Sequence, residues 1–442
     1  MNCLVGPALV VLALSGCAPP LPDGPATTAW FGDPHVHTGA SGDGCSSDMG
    51  QSLPLCGPAL DVAGSAADVG LDWLALADHT DSAQARTDAD ALTDWRAVLD
   101  AGLASTETLV IAGSETDPST PDGPLGHRTL LLFADDLGGL TRDDLAPSGD
   151  STGLVDDCAA YQAWADGLDR FGPTILIPHH PAAERPAPVD WNCTANLDQA
   201  VEVYSHWGNS RSWRSAAEPW ADYDPLGFEA ADTHVKGTAE AMLVEHPDLR
   251  LGFVAGTDGH RSTPGDTCAR HTPEEYGGGL TAAVLPDGDA LTRESLYDAF
   301  VARHTYATTG PHLPLDVDVF NGETRVGGMG DEVSIGETDV VTVRVRLGEP
   351  ETWDREVVGV WIVQPGAQAP EEARGIAWRT EPGVFVGQAT VSPTANGTWL
   401  YVEVVLEGDT SHPAGCIDEP ESDWPDDTER VWTSPTWFVI GV

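Results

Sequence analysis

The chain has 442 residues, 41 % of them hydrophobic, which is enough to bury a large core and to form more than one domain. A formal net charge of −49 excludes a nucleic-acid partner, because the phosphates would be repelled. Lysine occurs once, at Lys236, so nearly all positive charge is arginine and the surface reads as acidic and strongly solvated.

The N-terminus reads as a targeting segment. Residues 4–14, LVGPALVVLAL, are apolar but too few to span a bilayer. They lead into LSGC (14–17), the pattern of a bacterial lipoprotein signal with Cys17 as the lipidated residue. A Pro-rich stretch, 18–27, follows as a stiff tether. This places the expected location in the bacterial cell envelope, lipid-anchored and outside the cytoplasm. Six further cysteines, at 45, 56, 158, 193, 268 and 416, suggest disulfides there, with Cys45 and Cys56 the expected local pair.

From 28 to 312, short apolar runs ending in polar clusters alternate with alanine-rich stretches of helical character. The runs are TAWFGDPHVH, LDWLALADH, TLVIAGSE, HRTLLLFA, PTILIPHHP, AVEVYSH and LGFVAGTDGH. Continuous apolar strands alternating with helices predict a parallel sheet, here a distorted (β/α)7 TIM-like barrel, an α/β fold. Most His, Asp and Glu residues of these runs stand at the C-terminal ends; His127 alone starts its run. Between 313 and 442 apolar and polar residues alternate without helix signals, predicting an antiparallel β-sandwich domain.

His35 and His37 are two apart in a strand and so project to one side, as two ligands of a metal ion must. Their companions along the chain are Asp78, His79, Glu115, His127, His179, His180, Asp258 and His260. No thiolate joins them, so two to three divalent ions such as Zn, Mn or Fe fit the donor set.

The ordered motifs GDPHVHT, ADHT, GSE, GHR, PHHP, VEVYSH and GTDGH resemble the PHP (polymerase and histidinol phosphatase) superfamily of metal-dependent hydrolases. With RHTYATTGPH (303–312) and the following β-domain, they are similar to an exported branch of that family. The resemblance implies a seven-stranded barrel with three metals. It implies a first ion on His35, His37, Glu115 and Asp258, with Glu115 bridging to a second on His127 and His180. His180 is preferred to His179 because it directly precedes proline. A third would use His79, His260 and Asp43. Asp33 and Asp78 would orient imidazoles through their N–H groups, with Asp78 also a catalytic candidate beside Glu115. Glu202 and His206 would border the pocket.

The expected reaction is hydrolysis of a phosphate ester on a small molecule, with a hydroxide between two ions as nucleophile. Arg261 and Arg303 are the candidate phosphate partners. One alternative is an amidohydrolase-type hydrolase. Lys236, the only lysine available for a carbamate bridge, lies away from any strand end. Another is a surface-anchored binding protein with a silent barrel, whose β-sandwich would recognise glycan or cell-wall polymer; Trp207, Trp213 and Trp220, near the expected pocket, would support it if exposed. The GDSTG at 149–153 lacks a preceding strand and reads as chance.

Overall fold

The computed structural model describes residues 21–22, 24–38, 41, 62–79, 99–100, 102–148, 153–182, 188–211, 237–260, 263–267, 278–336, 339–348, 356–365, 374–392, 398–407 and 428–441. The leader, the tether up to residue 20, Asp43, Cys45, Cys56, Trp213, Trp220, Lys236 and Arg261 lie outside these residues.

All seven expected runs are strands: β1 (Thr27–Val36), β2 (Trp73–Leu76), β3 (Leu109–Thr116), β6 (Arg128–Leu132), β7 (Thr174–Pro178), β8 (Ala200–Ser205) and β10 (Gly252–Ala255). Between them lie the two-residue strands β4 (Ser119–Thr120), β5 (Gly123–Pro124) and β9 (Gly208–Asn209). The rest are β11 (Leu280–Pro286), β12 (Thr305–Thr308), β13 (Leu315–Asn321), β14 (Thr324–Gly328), β15 (Glu332–Ile335) and β16 (Asp339–Leu347). Then come β17 (Glu356–Val363), β18 (Arg374–Ile376), β19 (Trp378–Glu381), β20 (Val384–Val391), β21 (Thr398–Glu407), β22 (Thr428–Thr433) and β23 (Thr436–Ile440).

The (β/α)7 barrel is not what these strands build. Among the described residues strand accounts for 45 % and helix for 16 %. The helices are short: α1 (Val62–Asp68), α2 (Arg142–Leu145), α3 (Cys158–Asp166), α4 (Ala239–Glu245) and α5 (Arg293–Val301). One 13-stranded sheet runs β15-β23-β21-β22-β12-β11-β1-β2-β3-β6-β7, with β17 and β18 attached through β21. Only β1-β2 and β2-β3 pair in parallel within its N-terminal half; β3-β6, β6-β7 and β1-β11 are antiparallel. The β3–β6 connection holds only the β4–β5 hairpin, and a parallel return needs a longer crossover. Strands β10-β8-β9 form a separate small sheet.

The C-terminal strands form two packed layers, and these are continuous with the strands before residue 312. β22 pairs with β12, so the C-terminal strands extend the same large sheet, and a five-stranded layer, β14-β13-β16-β20-β19, packs against it. One apolar core contains Phe31, Ala282 and Tyr306 together with Val319, Val343 and Val404. A second joins Val203 and Phe253 to Trp399, Tyr401 and Trp432. Side chains from both sides of residue 312 therefore share their cores.

Local chemistry explains several elements. Trp73 to Leu76 is buried throughout, as a central strand covered on both faces requires. Gly32 permits that packing, since a Cβ there would stand 2.2 Å from the Trp73 ring. Asp157 caps α3 by accepting from Ala160 N, and Tyr161 and Ala165 bury its inner face. A disulfide, Cys158–Cys193, fixes the start of α3 to the β7–β8 connection.

Direction is what positions the site. β1, β2 and β3 run together, and β7 joins that direction because two antiparallel steps through β6 restore it. Parallel bridges Leu176↔Asp198 and Val36↔Gly259 tie the small sheet to β7 and to the end of β1. The C-terminal ends of β1, β3, β7, β8 and β10 thus meet at one place. β6 runs the other way, so its beginning arrives there, which is why His127 precedes its run instead of following it.

Candidate metal centre

Glu115, at the end of β3, stands in the middle of the cluster and is 2 % exposed. Its Oε2 lies 3.3 Å from His35 Nε2, 3.1 Å from His37 Nε2 and 3.2 Å from His79 Nε2. Its Oε1 lies 2.5 Å from His127 Nδ1 and 2.7 Å from His179 Nε2. One carboxylate therefore turns each oxygen to a different set of imidazoles.

Two overlapping donor groups result, the ligand atoms of each lying within 4.8 Å of one another: His35, His37, Glu115 and Asp258; and Glu115, His127, His179 and His180. In the first, His35 Nε2 is 3.1 Å from His37 Nε2 and 3.4 Å from Asp258 Oδ1, and His37 Nε2 is 3.1 Å from Asp258 Oδ1. A tetrahedral ion with bonds of about 2.0–2.1 Å separates its ligand atoms by roughly 3.3–3.4 Å. The donor spacing fits such an ion. Two buried imidazole nitrogens facing each other offer at best one hydrogen bond, whereas a shared cation satisfies both.

A third group joins His37, His79 and His260. His37 stacks on His260 with ring centroids 4.2 Å apart, and His79 is 5.0 Å from His37. The resemblance gave His79 and His260 the company of Asp43; that residue lies outside the described ones, and His37 stands with them here.

The electrostatics call for positive charge. Burial opposes protonation of His37, yet the Asp258 and Glu115 carboxylates bonded to it carry its pKa up to about 10. Burial would likewise raise Glu115, but His79, His179 and His127 around it hold it well below the usual carboxylate range. His180 goes the other way: burial, then the neighbouring His179 and His127, push its pKa far down. Among the described residues His180 Nδ1 is buried without a hydrogen-bond partner, an orphan that a bound ion would satisfy.

The supporting shell differs from expectation in detail. Asp33 accepts from the backbone N–H groups of His35, Thr257 and Gly265 and from the Thr257 hydroxyl, so it anchors the β10 loop to β1 instead of orienting an imidazole. Asp78 holds the end of β1 by taking up Thr38 N at 2.6 Å and the Thr38 hydroxyl. These contacts make Asp78 a positioning group. The imidazoles lean on Thr129 Oγ1 (3.2 Å from His35 Nδ1), Ser41 Oγ (3.3 Å from His37 Nδ1) and Asp117 Oδ1 (3.2 Å from His127 Nε2). Trp207 donates its indole N–H to Asp258 Oδ2 at 2.6 Å, so this tryptophan serves the cluster. His206, stacked 5.7 Å from His260, has its pKa pushed down to about 3, chiefly by burial.

Sequence reasoning set His179 aside, and the structure shows why both members of the pair enter. Neighbours in a strand point to opposite faces, but His180 has φ +30 and leaves the strand conformation. Both rings therefore reach the cluster, 3.8 Å apart. Asp258 is similarly turned, at φ +53. Such conformations are uncommon outside glycine and concentrate at functional sites.

Arg303 is not at the site. It sits beyond α5 at the start of β12, whereas the end of β12 pairs with the start of β11 beside the cluster. Its guanidinium donates to Gly330 O and Val301 O and lies 5.3 Å from the Trp437 ring centre.

No family model matches the chain. It is similar to three uncharacterized proteins of Chlamydia: 32 % identity over 146 residues to one of Chlamydia pneumoniae, covering 33 % of this chain and 21 % of that protein. The others are 28 % identical, over 272 residues in Chlamydia muridarum and 143 in Chlamydia trachomatis, covering 60 % and 32 % of this chain. The chain spans 21 to 38 % of the length of these relatives.

Proposed function

We propose that this chain is a metal-dependent hydrolase acting on phosphate esters, through two divalent ions sharing Glu115 and a third beside His79 and His260. The observation that carries the reading is the divided carboxylate: Oε1 and Oε2 of one buried side chain each face their own cage of imidazoles. The ordered motifs that resemble the PHP superfamily support the same reading through their donor residues; the fold lends it no support, since the barrel is absent.

His35, His37, Glu115 and Asp258 would hold one ion, and Glu115, His127, His179 and His180 the other. When bound, such ions supply a water of lowered pKa and positive charge for the non-bridging phosphoryl oxygens. The chain's own part is to fix the donors before substrate arrives. Asp33 and Asp78 lock the ends of β1 and β10, Trp207 holds Asp258, and burial of the rings excludes bulk water. Export fits the Cys158–Cys193 disulfide, which forms in oxidising compartments; among the described residues no helix is long and apolar enough to cross a membrane.

Elemental analysis of purified protein, followed by turnover of a generic aryl phosphate before and after metal stripping, tests the reading. We expect more than one equivalent of divalent ion and activity that returns on adding it back. Full activity in stripped protein would overturn the proposal.

A further inference from the structure

Glu202 is a carboxylate in an unusual position. It lies on β8, 2 % exposed, and its neighbours are the ligands of both principal donor groups. Oε1 accepts the backbone N–H of His180 at 3.1 Å and lies 3.8 Å from His179 Nδ1. Oε2 lies 3.6 Å from His35 Nδ1. A buried carboxylate is costly unless paired and hydrogen-bonded. Here the imidazoles and one amide supply the pairing.

The geometry around it is built for that approach. His35 turns Nε2 to Glu115 and Asp258, while its Nδ1 bonds Thr129 Oγ1 at 3.2 Å with Glu202 Oε2 beside it at 3.6 Å. His179 puts Nε2 on Glu115, and its Nδ1, without a hydrogen bond of its own among the described residues, stands 3.8 Å from both Glu202 Oε1 and Asp258 Oδ2. The His180 amide that Glu202 accepts belongs to the residue at φ +30, so the bond also holds the turn that brings the second imidazole inward. Gly256 leaves the room, since a Cβ there would lie 2.9 Å from His35 Cβ and 3.3 Å from Glu202 Oε2.

We infer that Glu202 is the common positioning residue of both ion groups: one buried carboxylate sets its charge beside the far nitrogens of His35 in the first and His179 in the second, and holds the His180 turn through its amide. This rests on the proposed metal centre and deepens it. Ligating imidazoles are ordinarily oriented by a carboxylate or carbonyl on their far nitrogen, usually one for each ring. Sharing one between two groups makes occupancy of either group depend on the same side chain. Glu202 touches ligands, not substrate, so its effect falls on ion affinity first and on turnover only through it.

The test is titration of metal-stripped full-length protein with Zn²⁺ by calorimetry, and with Co²⁺ by its visible absorption. Glu202→Gln keeps size and the acceptor for the His180 amide but removes the charge. Glu202→Asp keeps the charge and shortens the reach, and serves if the first variant fails to fold. Each is measured alone, in a His127→Ala background that cripples the second group, and in a His37→Ala background that cripples the first. We expect ion affinity to fall about 10- to 100-fold in both backgrounds, with an altered Co²⁺ spectrum and an unchanged fold by circular dichroism. A loss confined to one background, or affinity equal to the parent protein, overturns the shared role while leaving the metal centre standing. Failure of the unmutated protein to bind either ion overturns both.

Discussion

Two of the buried charged clusters among the described residues solve the same problem in opposite ways. Beside the small sheet, Arg211 pairs with Glu240 Oε1 at 2.8 Å and contacts Tyr401, while Arg430 and the Trp432 indole donate to Glu403 Oε1 at 3.2 and 3.1 Å. Guanidinium and carboxylate neutralise each other there without outside help. At the strand ends the carboxylates of Glu115, Glu202 and Asp258 face imidazoles instead. Imidazole is a cation only when protonated, and it ligates a metal only when it is not. The first cluster sets its carboxylates against permanent cations; the second sets them against rings whose charge depends on protonation, or on the ions proposed above.

The largest expected effect tests that division directly. His37→Ala removes a ring that touches both Glu115 Oε2 and Asp258 Oδ1 and also stands in the third group. It should abolish aryl phosphate turnover and lower the bound ion count by elemental analysis. The stripped variant should nonetheless fold, by circular dichroism, because the ring contributes little apolar packing. Retained ion content would remove the contrast between the clusters.

Glu403→Ala attacks the other side. It leaves Arg430, and Arg211 at 3.8 Å, without their buried carboxylate. Breaking a buried pair from one side costs about 3–5 kcal/mol, so urea denaturation should show a loss of that size. Ion stoichiometry should be unchanged. A loss of ions as large as that of His37→Ala would mean that the two clusters are one.

The sequence made the centre more legible than the fold. Local alternation puts His35 and His37 on one side, and each strand existed where an apolar run stood. Pairing direction was not written in those runs: β6 is as apolar as β2, yet runs antiparallel to its neighbours, and only the position of His127 hinted at it. His179 was passed over because His180 directly precedes proline, and nothing in PHHP announces a histidine at φ +30 that brings both rings inward. Thr129, Ser41 and Trp207 had no signal of their own, since a second nitrogen's partner is chosen by tertiary contact.

A smaller effect is expected at Trp207. Replacing it with Phe keeps an aromatic ring but deletes the N–H held by Asp258 Oδ2. Affinity for the ion on the first group should fall about tenfold, at the low end for an outer partner. Calorimetric titration in the His127→Ala background isolates that group. No change would show that backbone geometry at φ +53 alone fixes Asp258.

The smallest effect belongs to Arg303, a guanidinium that the sequence offers as a phosphate partner and the fold uses elsewhere. Helix α5 ends with His304 N bonded to Ala299 O and Arg303 N to Phe300 O, and Arg303 takes φ +59 between them. That is a Schellman cap, in which the turning residue is usually glycine. Arg303→Gly removes a left-handed cost of about 1 kcal/mol but loses a cation–π contact on Trp437 worth about 0.5–1 kcal/mol and the guanidinium bonds to Gly330 O and Val301 O, worth about 0.5–1.5 kcal/mol each. The losses outweigh the gain, so thermal denaturation should show a modest loss of stability while aryl phosphate turnover is unchanged. A fall in turnover with the fold intact would bring the arginine back toward the substrate and break the separation between the histidine-rich end of the sheet and its far end.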